Sequence, residues 1–197
     1  MQLAGLVIDW HPGIGDPTVA GWVTVGLYFF AALGALAVLR VATGEFPSTP
    51  RRQRGLWWVL LVCLILLGIN KQLDLQTLFT ELGRALSREQ GWYGQRRVVQ
   101  RLFIDGVVVT SIIVTLALFY YYRGLLGRNI LALSGFVFVV GYVLIRATSY
   151  HNTDHFIHTK LGGLEMNWIL ECFGLLLIII NEWLLLRRAK AAQMVSA

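Results

Sequence analysis

The sequence predicts an all-α integral membrane protein, and three observations carry that expectation. Of its 197 residues, 56% are hydrophobic and only 14% are charged, whereas a soluble domain carries roughly 25% charged residues. The apolar residues come in long unbroken runs instead of the one-sided stripes of a soluble helix. The basic residues flank those runs, where they set orientation and meet anionic headgroups. Together these predict about five transmembrane helices, at about 18–39, 56–70, 102–122, 129–147 and 166–186. One interfacial amphipathic helix is expected at about 73–88. The longest piece outside the spans, 70–101, is too short for an independent domain, so residues 1–197 read as a single membrane domain.

Composition also excludes some classes. A net charge of +6 would suggest nucleic acid in a soluble protein, but here it belongs to the flanks of the spans, so no nucleic-acid partner is expected. Cys63 and Cys172 lie inside apolar runs and behave as small hydrophobes, so neither a disulfide nor a redox compartment follows. The amino terminus lacks a basic n-region and a small-residue cleavage site, so no cleaved signal peptide is expected and the first span serves as the insertion signal.

Each element has its own signal. Asp16-Pro17 reads as a helix N-cap followed by proline at the first helical position. The helix it opens carries Ala31, Gly34, Ala35 and Ala37, small residues that permit close approach of a second helix. The next apolar run, Leu56 to Ile69, covers only about 21 Å, short for a core of roughly 30 Å. Its helix must therefore continue into NKQLDLQ, which places Asn70 and Asp74 at the interface. Leu75, Leu78, Phe79, Leu82 and Leu86 then share one helical face, the pattern of a helix lying on the membrane. Gly91-Trp92-Tyr93-Gly94 ends it. The third span closes on Tyr120, Tyr121 and Tyr122, an aromatic belt, and the RGLLGR turn makes spans three and four antiparallel neighbours. Trp168 and Trp183 lie near the ends of the fifth.

Five spans place the termini on opposite faces. Nine Lys/Arg fall on one face and eight on the other, so raw counts barely discriminate. The first helix has no Lys/Arg before it and a basic cluster (Arg51, Arg52, Arg54) after it, and the first helix usually dominates. The expected orientation is N-terminus outside and C-terminus cytoplasmic.

That topology brings the chemistry-bearing residues to one side. Asp105 and Glu171 lie one turn inside the third and fifth spans from the outer face, candidates for a general base or ligand. Between spans four and five, His151, Asp154, His155 and His158 form a loop whose histidines at i, i+4 and i+7 would share one face of a helix. Were a helix to start at Asn152 or Thr153, Gly162-Gly163 would end it. Imidazoles and carboxylates are the ligand set of a divalent transition metal, zinc foremost. The alternative is a solvated interfacial loop, with Asp105 or Glu171 paired to an arginine such as Arg101 or Arg146. Asn70, Asp74, Arg96 and Arg97 are candidate substrate or headgroup contacts. Glu182, close to the inner end of its helix, is expected to snorkel toward Arg187 and Arg188. The spacing is not H-E-x-x-H, and no G-x-S-x-G elbow surrounds Ser149.

The stretches GDPTVAGWVTVGLY (15–28), GINKQLDLQT (68–77) and GWYGQRR (91–97), with SYHNTDHF and NWILE, resemble a group of uncharacterised bacterial polytopic membrane proteins. The resemblance implies a bacterial inner-membrane location and no activity. Membrane-embedded hydrolases of the alkaline ceramidase type offer a chemical analogy, but their span count and residue order differ. Two functions follow as expectations. One is a metal-dependent enzyme acting on a lipid or another amphiphile; the other is a non-enzymatic membrane subunit that binds a partner protein or lipid.

Overall fold

A computed structural model of the chain describes residues 2–3, 6–7, 15–45, 50–73, 82–83, 85–91, 94, 96–148, 160–161 and 164–196. Five long helices account for most of them: α1 (Val19–Glu45), α2 (Pro50–Leu73), α3 (Arg96–Tyr121), α4 (Leu126–Thr148) and α5 (Met166–Ser196). Two antiparallel pairs of two-residue strands accompany them, β1 (Gln2–Leu3) with β2 (Leu6–Val7) and β3 (Lys160–Leu161) with β4 (Leu164–Glu165). The chain is an all-α membrane protein. Four helices are long and apolar enough to cross a bilayer, over Val19–Val41, Arg51–Leu73, Arg123–Val143 and Trp168–Met194; α3 carries a shorter apolar stretch, Val108–Tyr121.

The helix ends explain themselves locally. Thr18, not Asp16, caps α1: its hydroxyl accepts a hydrogen bond from the Gly21 N–H at 3.0 Å. Asp16 instead accepts from the Thr18 backbone and hydroxyl, at 3.2 and 2.6 Å, and fixes the cap itself. α2 starts on Pro50, which lacks the N–H that a first turn leaves unpaired anyway. It runs on to Leu73, so the span that looked short is lengthened at both ends by residues of polar type. The fifth span is also longer than expected, because α5 stays helical through Arg187 and Arg188. Gly91 takes φ 74°, the left-handed conformation that ends the helical turn before it. Gly162-Gly163, expected to end a helix starting near Asn152 or Thr153, lies outside the described residues. Residues 74–81, half of the expected interfacial helix, lie outside the described residues.

The core runs along heptad-like stripes. Buried positions fall at Thr24, Tyr28, Ala31, Ala35 and Val38 on α1, and at Glu171, Leu175, Ile178, Glu182, Leu185 and Ala189 on α5. Steps of four and three residues keep one seam facing the neighbour in left-handed packing. α1 lies between α2 and α5, and α5 in turn packs on α4. Ala31 and Ala35 are fully buried, as the small-residue reading expects. The α4–α5 crossing is closer still: a Cβ added to Gly174 would meet the Gly135 carbonyl oxygen at 2.8 Å.

Polar side chains fix which helix ends meet. Asn129 at the start of α4 exchanges two hydrogen bonds with Gln53 at the start of α2, both 2.9 Å, and accepts a third from Trp57 Nε1. At the opposite end, Lys71 near the end of α2 meets Glu171 near the start of α5. α2 therefore finishes at the Lys71 end, while α4 begins at the Asn129 end. The chain between them must cross the length of the bundle. α3, 26 residues and so about 39 Å long, is long enough to make that crossing, although its apolar stretch, Val108–Tyr121, is shorter than those of the other four helices.

Candidate functional site

The densest polar cluster sits at the Lys71 end. Lys71 Nζ donates to Glu171 Oε2 at 2.8 Å, and Tyr28 donates its hydroxyl to Glu171 Oε1 at 2.8 Å. Both carboxyl oxygens are thus occupied. The Lys71 and Glu171 side chains are only 3% and 2% exposed. An ion removed from water this completely costs several kcal/mol, about, unless partners satisfy it, which explains why three helices each contribute one side chain here. Asp16, before α1, forms the next layer. Its Oδ2 lies 3.7 Å from Lys71 Nζ and accepts from Trp168 Nε1 at 3.4 Å. Burial opposes ionisation of Asp16, but the hydrogen bonds from Thr18, the Lys71 ammonium and the Trp168 indole outweigh it, so the carboxyl is held below its ordinary range.

Two further ties close this end. The Gly15 N–H donates to the Gln72 carbonyl at 2.8 Å, joining the approach to α1 with the end of α2. Thr24 Oγ1 lies 3.7 Å from Cys172 Sγ. By formal charge the cluster holds two carboxylates against one ammonium, an excess of one negative charge.

The predicted site residues are distributed unevenly around this cluster. Glu171 is at its centre, though its partner is Lys71 and not an arginine. Asp105 is exposed on α3, which packs chiefly against α4 and the turn at Arg123–Leu125, and it does not join the Glu171 cluster. Asn70 is half-buried beside Lys71. Arg96 and Arg97 form the first turn of α3. Asp74, His151, Asp154, His155 and His158 lie outside the described residues. Among the described residues, no three His, Cys, Asp or Glu side chains come together to hold a metal ion.

Sequence reasoning missed Lys71, Tyr28 and the second role of Asp16. The signal for Lys71 was present. It continues the buried series Gln53, Trp57, Leu60, Leu64 on α2, seven residues beyond the last member. A lysine on a core seam at the depth of a carboxylate on another seam implies a pair, since each alone would be costly. Glu182 also departs from expectation. It is 2% exposed and faces Gly34 of α1, while Arg187 stacks over the Trp183 ring at 4.4 Å. It lies on the same seam as Glu171, three turns deeper, and cannot snorkel.

The fold and this cluster define a class: an all-α integral membrane protein whose helices are joined by polar side chains on their packing seams. No protein-family model matches the chain, no curated protein matches it, and no solved structure matches it.

Proposed function

We propose that the chain is a multi-pass protein of a bacterial inner membrane with a metal-dependent site at the Lys71–Glu171 end, acting there on a lipid or another amphiphile. The observation that carries this reading is the buried charged cluster at the end of the bundle from which the His151–His158 segment departs. In the sequence that segment follows α4, which ends at Thr148, and precedes α5, which begins at Met166, five residues before Glu171. The excess negative formal charge of Asp16 and Glu171 over Lys71 favours a cation nearby. His151, Asp154, His155 and His158 supply the donor set of zinc. A zinc ion bound there would supply Lewis acidity and activate water.

The chain's own residues would take distinct parts. Glu171, with both oxygens engaged, fits the role of holding Lys71 and Tyr28 in place. Asp105, exposed on α3, fits contact with an amphiphile that approaches from the bilayer, as do Asn70, Asp74, Arg96 and Arg97 near the interface. In this reading the N-terminus lies outside and the C-terminus in the cytoplasm. Metal content of the purified protein tests the reading: stoichiometric zinc in the wild type should be lost from His151→Ala and His155→Ala. Substoichiometric metal that is the same in all three would sink it.

A second reading, a non-enzymatic membrane subunit, is favoured by a different observation. α3 exposes Leu102, Val109, Ile112, Ile113 and Leu116 and packs on little but α4, leaving an apolar surface for lipid or a partner's helix. Co-purification of a defined partner that survives removal of the histidines would favour this reading over the first.

A further inference from the structure

Glu182 is a buried carboxylate that, among the described residues, no partner accompanies, unlike Glu171 and Asp16. Its Oε1 is enclosed and has no hydrogen bond, and it forms no ion pair among the described residues. The neighbouring Asn181 does not serve it: its Oδ1 accepts from the Ala132 N–H at 3.3 Å, and its Nδ2 is enclosed without a partner. Position makes the isolation acute. Glu182 lies at the middle of the Trp168–Met194 span, the depth at which an ionised side chain is most expensive.

The sequence shows how complete the isolation is at this depth. α1 has no ionisable side chain between Tyr28 and Arg40, and α4 has none between Arg128 and Tyr142. α5 itself has only Glu182 between Cys172 and Arg187, α3 has none between Asp105 and Tyr120, and α2 has only Cys63 between Arg54 and Lys71. Glycine 34 is what makes room. A Cβ there would collide with the Glu182 carboxyl group, so the absent side chain is the recess in which the carboxyl sits.

We propose that Glu182 is a membrane-embedded cation site, in which a small monovalent cation, a proton or a sodium ion, compensates the carboxylate between α5 and Gly34. A buried charge requires a partner of opposite sign, and the five helices supply none at this level. The site is separate from the Lys71–Glu171 cluster and does not depend on the histidines or on the function proposed above.

Dicyclohexylcarbodiimide, an apolar reagent that partitions into membranes, tests the proposal on the full-length protein in detergent or liposomes. A protonated carboxyl adds its O–H across one C=N bond of the reagent, and the acyl group then migrates to nitrogen, so nothing leaves and no co-reactant is needed. Peptide mapping by mass spectrometry should find the adduct on Glu182, and it should be absent from Glu182→Gln. Because mapping locates the adduct in the wild type, the result does not depend on how the variant folds. Labelling that falls with added NaCl at constant pH, but not with choline chloride, identifies sodium. Labelling that ignores sodium and falls as pH rises identifies the proton. Failure to label Glu182 at any pH or salt, or labelling indifferent to both, would overturn the proposal. Gly34→Ala should shift the protecting pH or sodium concentration, and an unchanged midpoint would overturn the placement against Gly34.

Discussion

At the scale of single residues, Lys71 and Glu171 decide how this bundle closes at one end. Removing one member of a buried pair leaves the other uncompensated, a loss of about 3–5 kcal/mol, whereas replacing both by apolar groups is often neutral. Lys71→Met should therefore lower thermal stability in detergent sharply, and Lys71→Met with Glu171→Leu should recover most of the loss. If the double variant is as unstable as the sum of the singles, the pair is not coupled as its 2.8 Å geometry requires. Asp16 adds a pH dependence with a definite sign. Its carboxyl is held below the ordinary value of 3.8, so its contribution is present above that value and lost as pH falls through the lower, folded-state one. The stability difference between wild type and Asp16→Asn should be constant from neutral pH to about 4 and shrink below it. A difference that changes between pH 6 and 8 would mean that another group carries the effect.

At the scale of elements, the seams explain both packing and polarity. Apolar helices in lipid gain little from burying apolar surface against each other, so association rests on close fit and interhelical polar contacts. α4 and α5 use fit: Gly135 and Gly174 bring the two backbones together. Gly174→Ala must separate the helices or displace Val139, and overpacking of this kind costs about 1–3 kcal/mol. Gly26→Ala and Gly141→Ala, where an added Cβ meets nothing within 4 Å, should be neutral or slightly stabilising. Thermal unfolding of these variants checks the prediction, which fails if Gly174→Ala is as stable as Gly26→Ala. α2 uses polar contacts instead, Gln53 at one end and Lys71 at the other. The sequence reading treated α2 as a short apolar run because hydropathy averages over all sides of a helix. Gln53 and Lys71 lower that average, yet both lie on the buried side.

At the scale of the whole molecule, connectivity argues for a fifth pass where hydropathy alone finds four candidate spans. α3 has an apolar stretch of only Val108–Tyr121, but the chain has to travel from the Lys71 end to the Asn129 end, and α3 is the helix available. The beginning of α1 and the end of α5 consequently lie at opposite ends of the bundle. Reporter fusions after Ala197 should report a cytoplasmic location, and fusions before Met1 an external one. Two fusions on the same side would contradict this arrangement. The aromatic belt agrees with this arrangement, since Arg52 stacks on Tyr121 at 5.2 Å and Arg123 on Tyr120 at 4.5 Å around the same end.

The sequence by itself determined the membrane class, the five helices, the small-residue packing at Ala31 and Ala35, and the depth of Glu171. These follow from hydrophobicity and from local chain chemistry, which each residue carries with it. Only the tertiary structure decided that Glu171 meets Lys71 and Tyr28, that Asp105 stands apart on α3, and that Glu182 faces Gly34 instead of Arg187. Depth depends on how far along a helix a residue lies, whereas neighbours depend on how each helix is rotated about its axis. That rotation is set by side chains as far apart in the chain as Gly34 and Glu182, or Gln53 and Asn129, and no local pattern contains it.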